Sequence, residues 1–141
     1  MAHIHRSITI AALIDDVWAY LTESDKIAQW LMPNTFVAEL GHAFTMDCPP
    51  GIGSGAPVRC QVTELHPPDQ GRARLAYTWV IDEPFTETLL EIDLIEVAEQ
   101  TRCDLVHSGW RDGADTLRNR HAEGWDMLLE QRLRPLLEAG R

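Results

Sequence analysis

From Asp115 to Glu138 one face of the chain repeats at helical spacing, at Leu117, His121, Trp125, Leu128, Leu129, Leu133, Leu136 and Leu137. That pattern predicts an amphipathic helix of about six turns. No other stretch offers a helix of comparable length. The segment between residues 36 and 110 reads instead as short runs of period two, broken by Gly and Pro. Consecutive strands joined by short turns argue for an antiparallel meander. One sheet with one buried face then has a single long helix to cover it. A strongly curved sheet of six to seven strands wrapped around that helix is the economical α+β solution, and the space between them is a natural cavity.

The elements follow from local pattern. His3 to Ala11 alternates, with Ile4, Ile8 and Ile10 sharing a parity, and reads as a first strand. Ile14 to Leu21 places Ile14, Val17, Trp18 and Leu21 at helical spacing, with Asp15 and Asp16 at the positive N-terminal end. Ser24 or Asp25 caps a second short helix carrying Ile27, Trp30 and Leu31, which Pro33 ends. Phe36 to Glu39 and Ala43 to Cys48 form a strand pair turned at Gly41, and Pro49 to Pro57 is a turn region. Val58 to His66 is a strand and Pro67 to Gly71 a loop. Arg72 to Ile81 alternates with Leu75, Tyr77, Trp79 and Ile81 on one face. After a turn at Asp82-Glu83-Pro84, Thr86 to Val97 sets Thr88, Leu90, Ile92 and Leu94 against Glu87, Glu91 and Asp93, so its second face meets water. Glu99-Gln100 turns the chain into a last strand, Thr101 to Trp110. Pro135 should kink or loosen the final turn of the long helix, and Gly124 within it reads as a point of close approach to the sheet.

Length and charge narrow the function classes. A chain of 141 residues is the size of one domain and can bury roughly 68–70% of its unfolded surface without staples. The formal charge of −10 is divided evenly between the two halves, and Lys26 is the only lysine. Without clustered basic residues, nucleic-acid binding and anionic membrane surfaces are disfavoured. No apolar run reaches membrane-span length, and the N-terminal residues do not read as a signal peptide. Cys48, Cys60 and Cys103 are widely spaced and odd in number, which fits buried thiols in a reducing, cytoplasmic setting. Gly51-x-Gly53-x-Gly55 lacks the Lys-Ser/Thr ending of a phosphate loop and does not lead into a helix, so it reads as a hairpin loop. Gly53-Ser54-Gly55 is too short for a nucleophile elbow.

Several matching stretches, in order and nearly end to end, resemble one family. They are Ile8-Thr9-Ile10-Ala11-Ala12, Val17 through Thr22, Trp30-Leu31-Met32-Pro33, Leu75-Ala76-Tyr77-Thr78-Trp79, Thr101 through Gly109, and Gly124-Trp125 followed by Leu128 and Leu129. Together they resemble the START-like (SRPBCC) helix-grip superfamily, specifically homologues of the activator of heat-shock protein 90 ATPase. Ala12-Leu13 stands where that family often has Pro, and Cys60 where it often has Gly. The resemblance implies a single START-like domain over residues 1–141, with an interior cavity for apolar or amphipathic molecules and a link to the stress response. Members of the superfamily include cyclases, hydrolases, lyases, lipid carriers and hormone sensors. In the eukaryotic activator, activity uses a further domain for which this chain has no room.

The expected ligand-lining set is Phe44, Met46, Tyr77, Trp79, Leu90, Ile92, His107, Trp110, His121, Trp125 and Leu128. Trp and Tyr join apolar area to one polar handle, which suits ligand orientation. Core packing is the competing reading for each, and Trp30 reads as structural. His107 shares parity with Cys103 and Leu105 and is the best polar candidate, as ligand partner or as acid–base group. Glu64 shares parity with Cys60 and Val62 and is expected to point inward beside it. His121 lies one turn before Trp125, at the cavity mouth or a wet edge. Two His with no third ligand do not make a metal site, so no metal and no cofactor are expected. The reading is a small-molecule binding protein rather than an enzyme. The alternatives are a co-chaperone-like interaction domain with a chaperone partner, and a cyclase- or hydrolase-type enzyme using His107. A homodimer is the base-rate assembly.

Overall fold

The computed structural model describes residues 3–47, 56–82 and 85–139. Strand β1 (Ile4–Ile10) leads into helices α1 (Ile14–Thr22) and α2 (Ser24–Trp30). Five strands follow: β2 (Ala43–Met46), β3 (Val58–Asp69), β4 (Arg72–Asp82), β5 (Phe85–Val97) and β6 (Gln100–Ser108). They form one curved antiparallel sheet in the order β1-β6-β5-β4-β3-β2, as the meander pattern predicts. The first strand pairs with the last, Ile4 opposite His107 and Ile10 opposite Thr101. The long helix runs as α3 (Asp115–Met127), a π-helical segment (Leu128–Leu133) and α4 (Arg134–Glu138). No helix among the described residues is long and apolar enough to cross a membrane.

The core lies between the inner face of the sheet and the helices. Leu75, Tyr77 and Trp79 from β4, Leu90, Ile92 and Leu94 from β5, and Cys103, Leu105 and His107 from β6 are all buried there. Trp125, Leu129, Leu133 and Leu137 pack on them from the helix. An α-helix of 3.6 residues per turn makes such a four-residue repeat drift by about 40° per step. The wider π turns rotate the stripe back and keep it on the sheet. They also sit where Pro135 supplies no amide to the preceding turn. The loosening expected at the final turn therefore lies before it.

Several elements differ from the sequence expectation, each for a local reason. Phe36 to Glu39 is not a strand. Only Asn34 bridges to Met46, and the Phe36 amide donates to Asn34 Oδ1 at 3.0 Å, a side-chain turn that diverts the chain from the sheet. Ser24 does not cap α2; its hydroxyl donates to the Asn34 carbonyl instead, and Glu23 holds the cap position. β3 runs through Pro67 and Pro68 to Asp69, leaving a two-residue turn at Gln70-Gly71. The two prolines fall where the register shifts between His66 and Asp69, so no ladder donor is lost. β6 stops at Ser108 because Gly109, at φ 91°, turns Trp110 off the strand. Gly124 is not a close contact: a Cβ added there would meet nothing within 4 Å. Cys48, the turn region from Pro49 to Gly55 with its glycines and Ser54, and Glu83-Pro84 lie outside the described residues.

The start of α1 and part of each sheet edge are closed by groups from elsewhere in the chain. Leu13 offers no cap, and the Ile14 amide donates to Glu96 Oε1 at 2.7 Å from the β5–β6 end. On the free edge of β1, Arg134 donates to the Thr9 carbonyl at 3.0 Å and the Ala11 amide donates to Glu138 at 2.9 Å. Along β2, the Thr45 amide donates to Thr35 Oγ1 and the Thr35 amide to the Thr45 carbonyl.

Candidate functional site

Five rings converge where the sheet meets α3. Alternation along β4 turns Trp79 inward, and alternation along β6 does the same for His107. The turn at Gly109 folds Trp110 back beneath His107, with ring centroids 4.6 Å apart. One helical turn separates His121 from Trp125 on α3. His121 lies 4.9 Å from Trp110, 5.6 Å from His107 and 6.0 Å from Trp79, and Trp125 closes the far side 5.6 Å from Trp79.

Hydrogen bonds fix the protonation of both imidazoles. Trp125 Nε1–H donates to His107 Nδ1 at 3.1 Å, so the His107 proton sits on Nε2. That Nε2–H donates to Thr88 Oγ1 at 2.7 Å, and the Thr88 hydroxyl donates to the Trp79 carbonyl at 2.7 Å. Trp79 Nε1–H donates to His121 Nε2 at 3.3 Å, leaving the His121 proton on Nδ1, which donates to the Leu117 carbonyl at 2.9 Å. The two rings are thus opposite tautomers, both neutral. Burial holds His107 well below the ordinary imidazole value, and the neighbouring His121 adds to this. Burial also lowers His121, against the opposing pull of the Leu117 carbonyl.

The expected lining residues divide into groups. Trp79, His107, Trp110, His121 and Trp125 come together. Phe44 and Tyr77 belong to a separate aromatic group with Phe36, with centroids 5.0–6.3 Å apart. Met46, Leu90 and Ile92 are core positions, and Leu128 is half-buried on the helix. Of the eleven, all but His121 and Leu128 are at most 4% exposed, so at these positions the interior is filled by the side chains themselves. Thr88 is the member sequence reasoning missed: its inward parity on β5 was legible, but nothing local marked it as the link between His107 and Trp79.

Glu64 corrects an expectation. A register shift between Val62 and Glu64 inserts one residue in β3 and reverses the parity beyond it. Leu65 takes the inward position opposite Leu75, and Glu64 turns to the outer face. There Arg74 binds Glu64 at 2.8 Å and Asp93 at 2.7 Å, and also Glu91. Arg74 holds the Glu64 carboxyl below the usual carboxylate range. An acid–base pair of Glu64 with His107 is excluded by this placement. Cys60 and Cys103 are free and buried, and burial pushes each thiol up to about 12. Among the described residues no group of three or more His, Cys, Asp or Glu could hold a metal ion.

Comparison with known proteins agrees with this architecture. A family model described as activator of Hsp90 ATPase homolog 1-like protein matches residues 11–138. No curated protein matches the chain. Among solved structures, protein MLL2253 from Mesorhizobium loti superposes with a TM-score of 0.88 at 22% identity, over 99% of each chain. Protein BH1534 from Bacillus halodurans gives 0.77 at 28% identity, over 97% of each chain. The Aha1 dimer from Colwellia psychrerythraea gives 0.77 at 22% identity, over 100% of this chain and 99% of that one.

Proposed function

The chain belongs to the activator of Hsp90 ATPase homolog 1-like family, and on that premise we propose that it is a small-molecule binding module whose ligand enters between the sheet and α3. The observation that carries this reading is the ring box itself, three Trp and two neutral His with no charged side chain among them. The rings fill that space among themselves, so a ligand enters by displacing one of them, and the surface then uncovered suits an apolar or amphipathic molecule oriented by a few polar atoms. The helix over it is weakly held at its start: from Asp115 to Gly124 no side chain is buried, whereas Trp125, Leu129, Leu133 and Leu137 all are. Movement of that first part would admit a ligand without disturbing the anchored remainder. Binding is favoured over acid–base catalysis because both ring nitrogens of His107 are already engaged within the protein.

Native mass spectrometry of the protein purified gently from its own host tests this. Excess mass that disappears on denaturation is the expected result, and the same spectra report any dimer, the assembly named for the Colwellia protein. An apo mass, with no thermal stabilisation by any member of a panel of apolar and amphipathic compounds, would overturn it. A ligand at a hundredfold excess over its Kd should stabilise by about 2.7 kcal/mol. A chaperone-directed role is the second reading, favoured by the family match, and its test is co-precipitation of the host's Hsp90 at low salt with nucleotide. Free, buried Cys60 and Cys103 favour a reducing, cytoplasmic setting.

A further inference from the structure

His121 is placed oddly for a core residue. It is half-buried, on the part of α3 with no fully buried side chain, yet it makes ring contacts with Trp79, His107 and Trp110 and accepts the Trp79 indole N–H. Its imidazole is a flat, uncharged ring presenting one acceptor atom to a donor in the sheet. That donor bond, at 3.3 Å, is the longest in the ring network. The other polar atoms of the box are engaged with one another: Trp125 with His107, His107 with Thr88, Thr88 with the Trp79 carbonyl, and Trp110 with the His107 carbonyl. Withdrawal of His121 would leave Trp79 Nε1–H as the one donor released on the sheet side, at the edge of a ring-shaped slot.

We infer that His121 is an internal stand-in for the ligand, and that the molecule replacing it is an uncharged planar ring compound carrying a hydrogen-bond acceptor for Trp79. This rests on the binding reading above and narrows it to a chemical class and a mechanism of entry. A ring cation gains attraction from the Trp faces, but with its nitrogen alkylated it offers Trp79 no acceptor and leaves that N–H unpaired. An apolar ring without an acceptor would leave the Trp79 donor unpaired. A competitor held in the site lowers apparent affinity by the fraction of time the site is free, so removing it tightens binding.

The test compares quinoline, naphthalene and N-methylquinolinium at pH 8, three probes of nearly one shape that differ in acceptor and charge. Binding to the wild type and to His121→Ala is followed by NMR of the indole N–H signals. Quinoline should bind His121→Ala at least about tenfold more tightly than wild type. It should bind about fivefold more tightly than naphthalene, the worth of one net hydrogen bond, and N-methylquinolinium should not shift the Trp79 signal. Equal or weaker quinoline binding by the variant, or equal binding of the cation, overturns the inference. Should His121→Ala not fold, the wild type alone decides: with quinoline bound, His121 should titrate near the ordinary value of about 6.5. An unmoved His121 titration in the quinoline-saturated protein refutes displacement. A native ligand found by mass spectrometry together with such a failure would leave the binding reading standing and remove only this mechanism.

Discussion

His107 and His121 are kept neutral by geometry as much as by burial. Each has an indole N–H aimed at its acceptor nitrogen, so a proton added to His107 Nδ1 or His121 Nε2 would face a donor. Rings and hydroxyls packed around the pair include Thr88, Trp79, Trp110 and Trp125, and the two imidazoles face each other with centroids 5.6 Å apart. Both folded-state values lie below that of the unfolded chain, near 6.5. The unfolded state therefore binds more protons below about pH 6.5, and stability falls as pH drops from there through the lowered values. The loss is about 1.4 kcal/mol for each unit of lowering. Thermal unfolding between pH 8 and 4.5 should show Tm declining below about pH 6.5, before carboxylates titrate, with a shallower decline in His121→Gln. A pH-independent Tm across 5 to 6.5 would contradict the buried neutral pair. Inward parity made His107 legible in the sequence. The same parity misplaced Glu64, because a one-residue bulge has no signature in the alternation that surrounds it.

At the scale of elements, the cap on the first helix is supplied from across the fold rather than from adjacent sequence. The start of α1 depends on Glu96, more than eighty residues away, and this bond was invisible to a reading by local caps. Glu96→Ala should destabilise by about 0.5–2 kcal/mol, the usual worth of a lost helix cap. Hydrogen exchange should show the Ile14 amide losing protection first. Gly124 makes the opposite case. It occupies a helix interior with open space where a Cβ would go, so Gly124→Ala should stabilise by about 1 kcal/mol. Calorimetry reads this directly, and a loss of stability would mean the helix needs the glycine for a reason beyond space. Strand periodicity, the two short helices and the long amphipathic helix were all readable in advance. What was not readable were the places where one side chain redirects the backbone, as Asn34 does before Phe36, or where prolines sit harmlessly in a register shift, as in β3.

For the whole molecule, the sheet has two edge strands and neither is bare. Thr9 near the end of β1 and Ala11 just beyond it are engaged by Arg134 and Glu138, and β2 is flanked by residues 33–35. Exposed ladder groups are templates for association, and covering them blocks that route. The double variant Arg134→Ala/Glu138→Ala frees the Thr9 carbonyl and the Ala11 amide. Its light-scattering mass should rise with concentration above that of the wild type, most clearly in high salt, where repulsion from the net charge of −10 is screened. An unchanged mass would mean that edge exposure alone does not drive association in this fold.

The division of the C-terminal helix has a mutational consequence. Its second half, from Trp125 through Leu137, is bound into the core at every fourth residue, and substitutions there act on the fold. Its first half contributes side chains to the ring box with no fully buried residue of its own from Asp115 to Gly124. Substitutions at positions such as Leu117 and His121 therefore alter the ring cluster while leaving the scaffold unchanged. Mutational tolerance is thus divided along one helix, with the scaffold fixed by one half and the chemistry of the cluster open to change in the other.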